Sequence, residues 1–184
     1  PGVVVCHPHP LFGGNMHNNV VSAVTYHLST VGIASLKFNF RGVGNSEGEH
    51  SKGDLEYQEA VAALKMLSEW PGINSTNIGI VGYSFGTRVI LRHPELQEFP
   101  RAFAFISPSI EALEESTLKN DNRPKFVISG TKDKLLQSNR LTEVLNQFVH
   151  PPIINSVEGA DHFWANMEDL AVEPVSMFFH ENLT

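Results

Sequence analysis

The sequence predicts an α/β fold, a mostly parallel sheet covered by helices on both faces. Three observations point there. Short apolar runs bounded by Gly, Pro or Asn alternate along the chain with segments of helical period. Those runs are near-continuous rather than alternating, as strands buried on both faces require. No linker, repeat or low-complexity tract divides the 184 residues, so residues 1–184 are expected to form a single domain.

The elements follow in order. Val3 to Cys6 reads as a buried strand. Val20, Val21, Val24, Leu28 and Val31 share one helical face, and Gly32 is placed to stop that helix. Ile33 to Phe40 reads as the next strand, followed by a Gly-rich loop over Arg41 to Gly53. Asp54 is expected to cap a helix carrying Tyr57, Ala60, Val61, Leu64 and Leu67, ended by Pro71-Gly72. A strand from Asn77 to Val81 leads through a tight turn into a helix running to about Arg92. Further strands are expected at Ala102 to Ile106, Phe126 to Ser129 and Ile153 to Val157. A helix carrying Leu141, Val144, Leu145 and Phe148 separates the last two, and Pro174 suits the first turn of a closing helix.

Composition narrows the function classes. With 13 Lys and Arg against 20 Asp and Glu the formal charge is −7, and no basic run appears, so nucleic-acid binding is not expected. No apolar stretch approaches the length of a membrane span. The single cysteine, Cys6, cannot form an intramolecular disulfide and fits a reducing, cytoplasmic compartment.

The chemistry begins at Gly82-Tyr83-Ser84-Phe85-Gly86. The pattern G-x-S-x-G carries a nucleophilic serine when it joins a buried strand directly to a helix. This copy follows Asn-Ile-Gly-Ile-Val and precedes Thr-Arg-Val-Ile-Leu-Arg, so it meets that demand. A second copy, Gly44-Asn45-Ser46-Glu47-Gly48, lies in a polar loop and is rejected. A serine at the apex of such a turn is strained, and positions two residues either side crowd together, hence Gly82 and Gly86.

A serine hydroxyl needs a base to take its proton. His162, just past the last strand, falls at the same carboxyl edge of the sheet as Ser84, where open α/β sheets bind ligands. Asp133, after the preceding strand, is placed to orient that imidazole. Asp161 is next to His162 in the chain, and adjacent side chains diverge, so it is expected to organise the loop instead. An oxyanion hole needs two backbone N–H donors, one from the residue after the nucleophile, Phe85. The other falls in His7-Pro8-His9-Pro10-Leu11-Phe12-Gly13-Gly14. The prolines have no N–H, leaving His9 or Leu11, with His9 preferred. His7, His9 and His17 do not read as a metal site, since no Cys or carboxylate completes them, and no metal or other cofactor is expected. Leu11, Phe12, Tyr83, Phe163 and Trp164 are candidates to line a substrate pocket.

These stretches resemble the α/β-hydrolases over essentially the whole chain. His-Pro-His-Pro-Leu-Phe-Gly-Gly-Asn-Met at 7–16, Phe-Arg-Gly-Val-Gly-Asn-Ser-Glu-Gly at 40–48 and Gly-Tyr-Ser-Phe-Gly at 82–86 carry the resemblance. The first is similar to a group of lid-less bacterial members related to dienelactone hydrolases and to the catalytic domains of acyl-peptide-type serine peptidases. The order Ser84, Asp133, His162 is the one that fold uses. Dienelactone hydrolases have a cysteine nucleophile, and Ser84 departs from that. The resemblance also implies two further strands ahead of the strand ending in His7, which this sequence does not contain. The gap from Ser107 to Lys125 has room for a helix such as Glu111 to Lys119 but not for a cap domain. The expected activity is hydrolysis of a small carboxylic ester or thioester through an acyl-enzyme. A serine peptidase or amidase acting on short peptides, or a non-catalytic binding module on the same fold, are the alternatives.

Overall fold

The computed structural model describes residues 1–136 and 138–184. Its centre is a sheet of six parallel strands in the order β2-β1-β3-β4-β5-β6. The strands are β1 (Gly2–Cys6), β2 (Ala34–Lys37), β3 (Ile78–Tyr83), β4 (Ala102–Ile106), β5 (Lys125–Gly130) and β6 (Ile153–Val157). The helices are α1 (Asn19–Thr30), α2 (Tyr57–Ser68), α3 (Phe85–Arg92), α4 (Ile110–Glu115), α5 (Ser138–Leu145) and α6 (Glu168–Leu183). The segment between β4 and β5 holds α4 and a short 3-10 turn, Thr117–Asn120, and no cap domain. No helix is long and apolar enough to cross a membrane among the described residues.

The two-residue repeat of the strands divides the core into two layers. Val4, Cys6, Ile78, Ile80, Phe103 and Phe105 face the layer of α2, α3, α4 and α5. Val3, Val5, Val81, Ala102, Ala104 and Ile106 face α1 and α6. Phe179 of α6 lies so close to β3 that a Cβ on Gly79 would sit 2.4 Å from its ring. Asn18 caps α1 by accepting from the amides of Val20 and Val21, and Gly32 follows the helix at φ +76°.

Chain direction positions the site. From β1 the chain crosses to β2 on one side, then returns to β3 on the other. The carboxyl ends of β1 and β3 therefore flank a switch point, where the outgoing loops diverge and leave a crevice. The loops that follow these two strands contain His9 and Ser84.

Several expectations for the elements need correction. The helix expected to carry Phe148 ends at Leu145, and the one expected over Glu111 to Lys119 ends at Glu115 and gives way to a 3-10 turn. The helix expected from Asp54 begins at Tyr57, and Asp54 is exposed. Its predecessor Glu56 turns its carboxylate back to accept from the Ser51 and Gly53 amides instead. The strand expected over Ile33 to Phe40 pairs only at Ala34–Lys37, because Phe40 turns its amide to the His7 ring. Pro174 lies inside α6 rather than in its first turn. An interior proline costs about 3 kcal/mol. The helix continues because Ala171, Val172, Val175, Phe178 and Phe179 are all buried around it.

Phe179 is the keystone of that layer, with no exposure. Phe179→Ala should lower the unfolding free energy by about 3–5 kcal/mol in urea titration, since the sheet cannot collapse into the space left. A loss below 1 kcal/mol would mean that α6 does not pack as described.

Candidate active site

Ser84 lies between the end of β3 and the start of α3, at φ +51° and ψ −110°. That backbone costs a residue with a Cβ about 1–3 kcal/mol. It is held by the Ser84 amide donating to the Ile106 carbonyl at 2.9 Å and by the amides of Thr87 and Arg88 donating to the Ser84 carbonyl. The flanking glycines provide clearance. A Cβ on Gly86 would lie 2.3 Å from the Cys6 carbonyl oxygen, and one on Gly82 would lie 2.5 Å from the Thr87 nitrogen. Both contacts are with backbone, which has nowhere to move.

The Ser84 Oγ lies 2.8 Å from His162 Nε2, and His162 Nδ1 lies 2.8 Å from Asp133 Oδ2. The Asp133 side chain is fully buried, and its Oδ1 accepts from the Leu135 amide at 2.9 Å. With Nδ1–H donating to the carboxylate, the Nε2 lone pair faces the serine hydroxyl. The His162 loop is laid against the end of β5. A Cβ on Gly130 would meet the Ala160 carbonyl oxygen at 2.1 Å, and the Lys132 amide donates to that oxygen at 2.9 Å. Tyr83 donates its hydroxyl to the His162 carbonyl at 2.7 Å. Burial, with Asp133 and Asp161 nearby, pushes the Tyr83 pKa up, so it stays a phenol and a donor. Asp161 accepts from the amides of Phe163 and Trp164, organising the loop as expected.

The loop after β1 is rigid. His9 caps the short 3-10 turn Pro10–Phe12, its Nδ1 accepting from the Leu11 amide at 3.2 Å. The Leu11 N–H is therefore spent, whereas the His9 N–H has no acceptor among the described residues. Phe85, as the first residue of α3, has an N–H outside the intrahelical ladder. The His9 and Phe85 rings lie 4.9 Å apart.

Several supports were not legible in the sequence. His7 is buried, with Nδ1 donating to the Pro8 carbonyl at 2.7 Å and Nε2 accepting from the Phe40 amide at 3.0 Å. Met16 donates its amide to Asn39 Oδ1 at 2.8 Å, so the 39–46 loop grips the His9 loop at both ends. Ser46, from the rejected second motif, donates to the Asn39 carbonyl. The fully buried Glu56 carboxylate sits behind the site. Burial raises its pKa, but hydrogen bonds from Ser51 and Gly53 outweigh that and hold it below the usual carboxylate range. His50 Nδ1 lies 2.8 Å from Glu56 but off the line of a hydrogen bond, and the His50 ring packs on His9 and Phe85. Its place directly before Ser51-Lys52-Gly53 offers no sequence signal.

Two hollows open on Ser84. One, of about 390 Å³, is lined by Pro8, Phe12, Tyr83, Leu135 and Phe163. The other, of about 180 Å³, is lined by Phe85, Arg88, Ser107, Ser109 and Leu136. His9, Ser84, Leu135 and His162 border both. A wider depression of about 1100 Å³ lies between residues 10–17 and 37–50 and does not reach Ser84. Phe12, Tyr83 and Phe163 thus reach the site. Leu11 does not, because it faces the wider depression. Trp164 does not either: it is fully buried, with its indole N–H donating to Ser107 Oγ at 3.0 Å. Among the described residues no three His, Cys, Asp or Glu side chains converge as metal ligands would. Cys6 is buried and its thiol pKa is pushed up by that burial, so it is not a nucleophile.

Residues 45–175 match the dienelactone hydrolase family. The chain belongs to it. An uncharacterized protein of Rickettsia prowazekii is 34% identical over 176 residues, covering 89% of this chain and 72% of that one. Among solved structures, an α/β serine hydrolase homologue from Coxiella burnetii is 26% identical with a TM-score of 0.82, covering 100% of this chain and 85% of that one. A putative α/β hydrolase from Agrobacterium tumefaciens is 27% identical at a TM-score of 0.84, with the same coverage of 100% and 85%. A lid-less α/β serine hydrolase from Xanthomonas campestris is 25% identical at 0.81, covering 98% and 80%. This family member is an enzyme of the α/β serine hydrolase type.

Burial of His7 lowers its pKa from 6.5 to about 4. The neutral ring is therefore favoured in the folded state, and that stability is present above pH 6.5 and lost as pH falls toward 4. Urea titrations should show about 2 kcal/mol of stability lost from this group between pH 7 and pH 5. His7→Gln, which does not titrate, should lose correspondingly less over that window. An identical pH dependence in the two proteins would contradict the assignment.

Proposed function

We propose that this hydrolase cleaves small carboxylic esters or thioesters through an acyl-enzyme on Ser84, with residues 1–184 acting as one catalytic domain. The observation that carries the reading is the unbroken hydrogen-bond line from Ser84 Oγ through His162 to buried Asp133, with both links at 2.8 Å.

Ser84 Oγ attacks the ester carbonyl carbon while His162 Nε2 takes its proton. The new C–O bond pushes the carbonyl electrons onto oxygen, and the free amides of Phe85 and His9 are the donors for that oxyanion. Asp133 keeps His162 in the Nδ1–H tautomer and stabilises the imidazolium. Collapse breaks the bond to the leaving oxygen, which takes the proton from His162. Water, deprotonated by His162, then attacks the acyl-enzyme, and the proton returns to Ser84 as the acid leaves. Three further features support this reading. The backbone strain at Ser84 is expected of a nucleophile, the His9 and Phe85 amides have no acceptor among the described residues, and Cys6 is buried away from the site.

Ser84→Ala and His162→Ala should each lower kcat on a short p-nitrophenyl ester by on the order of 10⁴–10⁶-fold, with the fold retained by circular dichroism. Wild-type protein should take up one fluorophosphonate per chain, on Ser84. Parent-like turnover by Ser84→Ala, or a probe adduct elsewhere, would refute the reading.

A further inference from the structure

The two hollows beside Ser84 differ in chemistry, and one arginine sets the difference. Six arginines occur in the chain. Five of them, Arg41, Arg92, Arg101, Arg123 and Arg140, donate from the side chain to an acceptor on another described residue. Arg88 does not: among the described residues its guanidinium makes no hydrogen bond and no ion pair. It lies on the first turn of α3, four residues beyond Ser84, and its amide donates to the Ser84 carbonyl at 3.3 Å. It lines the smaller hollow, of about 180 Å³, with Ser107 and Ser109. A guanidinium has five donors and no means of losing its charge, so a half-buried one facing a hollow calls for an anionic acceptor.

The nearby carboxylates do not fill that role. Glu111 borders the same hollow but is exposed, and it accepts from Ser109 Oγ at 3.3 Å. Glu56 has its acceptor positions taken by Ser51 and Gly53. The larger hollow is of the opposite kind. Phe12 is 85% exposed, Leu135 75% and Phe163 64%, three large apolar side chains gathered at the mouth of a nucleophile. Such a cluster marks a contact surface for apolar matter. His162 borders both hollows, but Phe163, the residue after it, lines only the larger one, so the larger hollow takes the side of His162 toward which the chain continues. The Arg88 hollow lies beside Phe85, along α3.

We propose that the substrate is a two-ended ester. Its leaving alcohol is flat and apolar and lies against Phe12, Leu135 and Phe163, and its short acyl part ends in a carboxylate received by Arg88. This rests on Ser84 being the nucleophile. Hydrolysis of such a hemiester releases a short dicarboxylic acid and an aromatic or otherwise apolar alcohol.

Two esters of 2-naphthol with five-carbon acyl parts test it, the neutral pentanoate and the anionic hydrogen glutarate, with Ser84→Ala protein as the blank for spontaneous hydrolysis. Wild type should prefer the hydrogen glutarate by at least about tenfold in kcat/KM. In Arg88→Gln that preference should fall by about 10- to 100-fold, as loss of a charge-assisted pair implies, with Arg88→Lys retaining part of it. Phe163→Ala should raise KM for both naphthyl esters alike. A wild-type preference for the pentanoate, or a preference unmoved in Arg88→Gln, would overturn the carboxylate assignment while leaving the nucleophile standing. An unchanged KM in Phe163→Ala would overturn the placement of the alcohol. Turnover of neither ester by protein that still labels on Ser84 would overturn the substrate class, and absence of the label would overturn the nucleophile beneath it.

Discussion

The contact on which the site depends is the approach of α3 to β1, where Gly86 lies against the carbonyl of Cys6. Because no side chain separates them, the helix can begin with a single residue between it and β3, and that residue, Ser84, is driven to a positive φ at the apex. From that point the hydroxyl stands above the sheet, and the Phe85 amide is left free at the helix start. A wider separation would relax Ser84 and carry its oxygen away from His162. The local strain is offset by the burial of Val89, Ile90 and Leu91 on the same helix.

A second layer of constraint surrounds this turn. The His9 loop is fastened by its own 3-10 turn, by His7 to Phe40 and by Met16 to Asn39. The His162 loop is fastened across β5 through Ala160 and across β3 through Tyr83. Ser84, the His9 loop and His162 therefore come from three segments, each tied to the sheet by backbone or buried groups. Preorganisation of this kind is what electrostatic stabilisation of an oxyanion requires, since donors that must reorient give up much of their effect. The polar loop over 40–53, whose sequence motif has no chemistry of its own, serves as the brace.

What the sequence revealed follows the range of the interactions. Ser84, Gly82 and Gly86 are legible because the turn that needs them is local. Asp133 and His162 are legible because strands of a parallel sheet all end at one edge, so chain order alone brings them near Ser84. Side-chain direction was not legible. Leu11 and Trp164 lie as near the site in sequence as Phe12 and Phe163, yet one turns outward and the other is drawn into the core to bond Ser107. Long-range pairs were equally hidden, such as His7 with Phe40 and Glu56 with His50. Pro174 and Asp54 were misplaced because tertiary packing overrides local preference. Arg88 carried a usable signal, its four-residue spacing from Ser84, but its lack of a partner is visible only in three dimensions.

The central claim is that a strained serine held by the sheet carries the acyl group from the ester to water. Acid-quenched mass spectrometry during the first turnovers of a slowly deacylating ester tests it most directly. The expected result is a transient mass increase of one acyl group per chain that maps to the peptide containing Ser84 and decays as acid is released. Turnover with no such intermediate, or with the acyl group on a peptide that lacks Ser84, would contradict it.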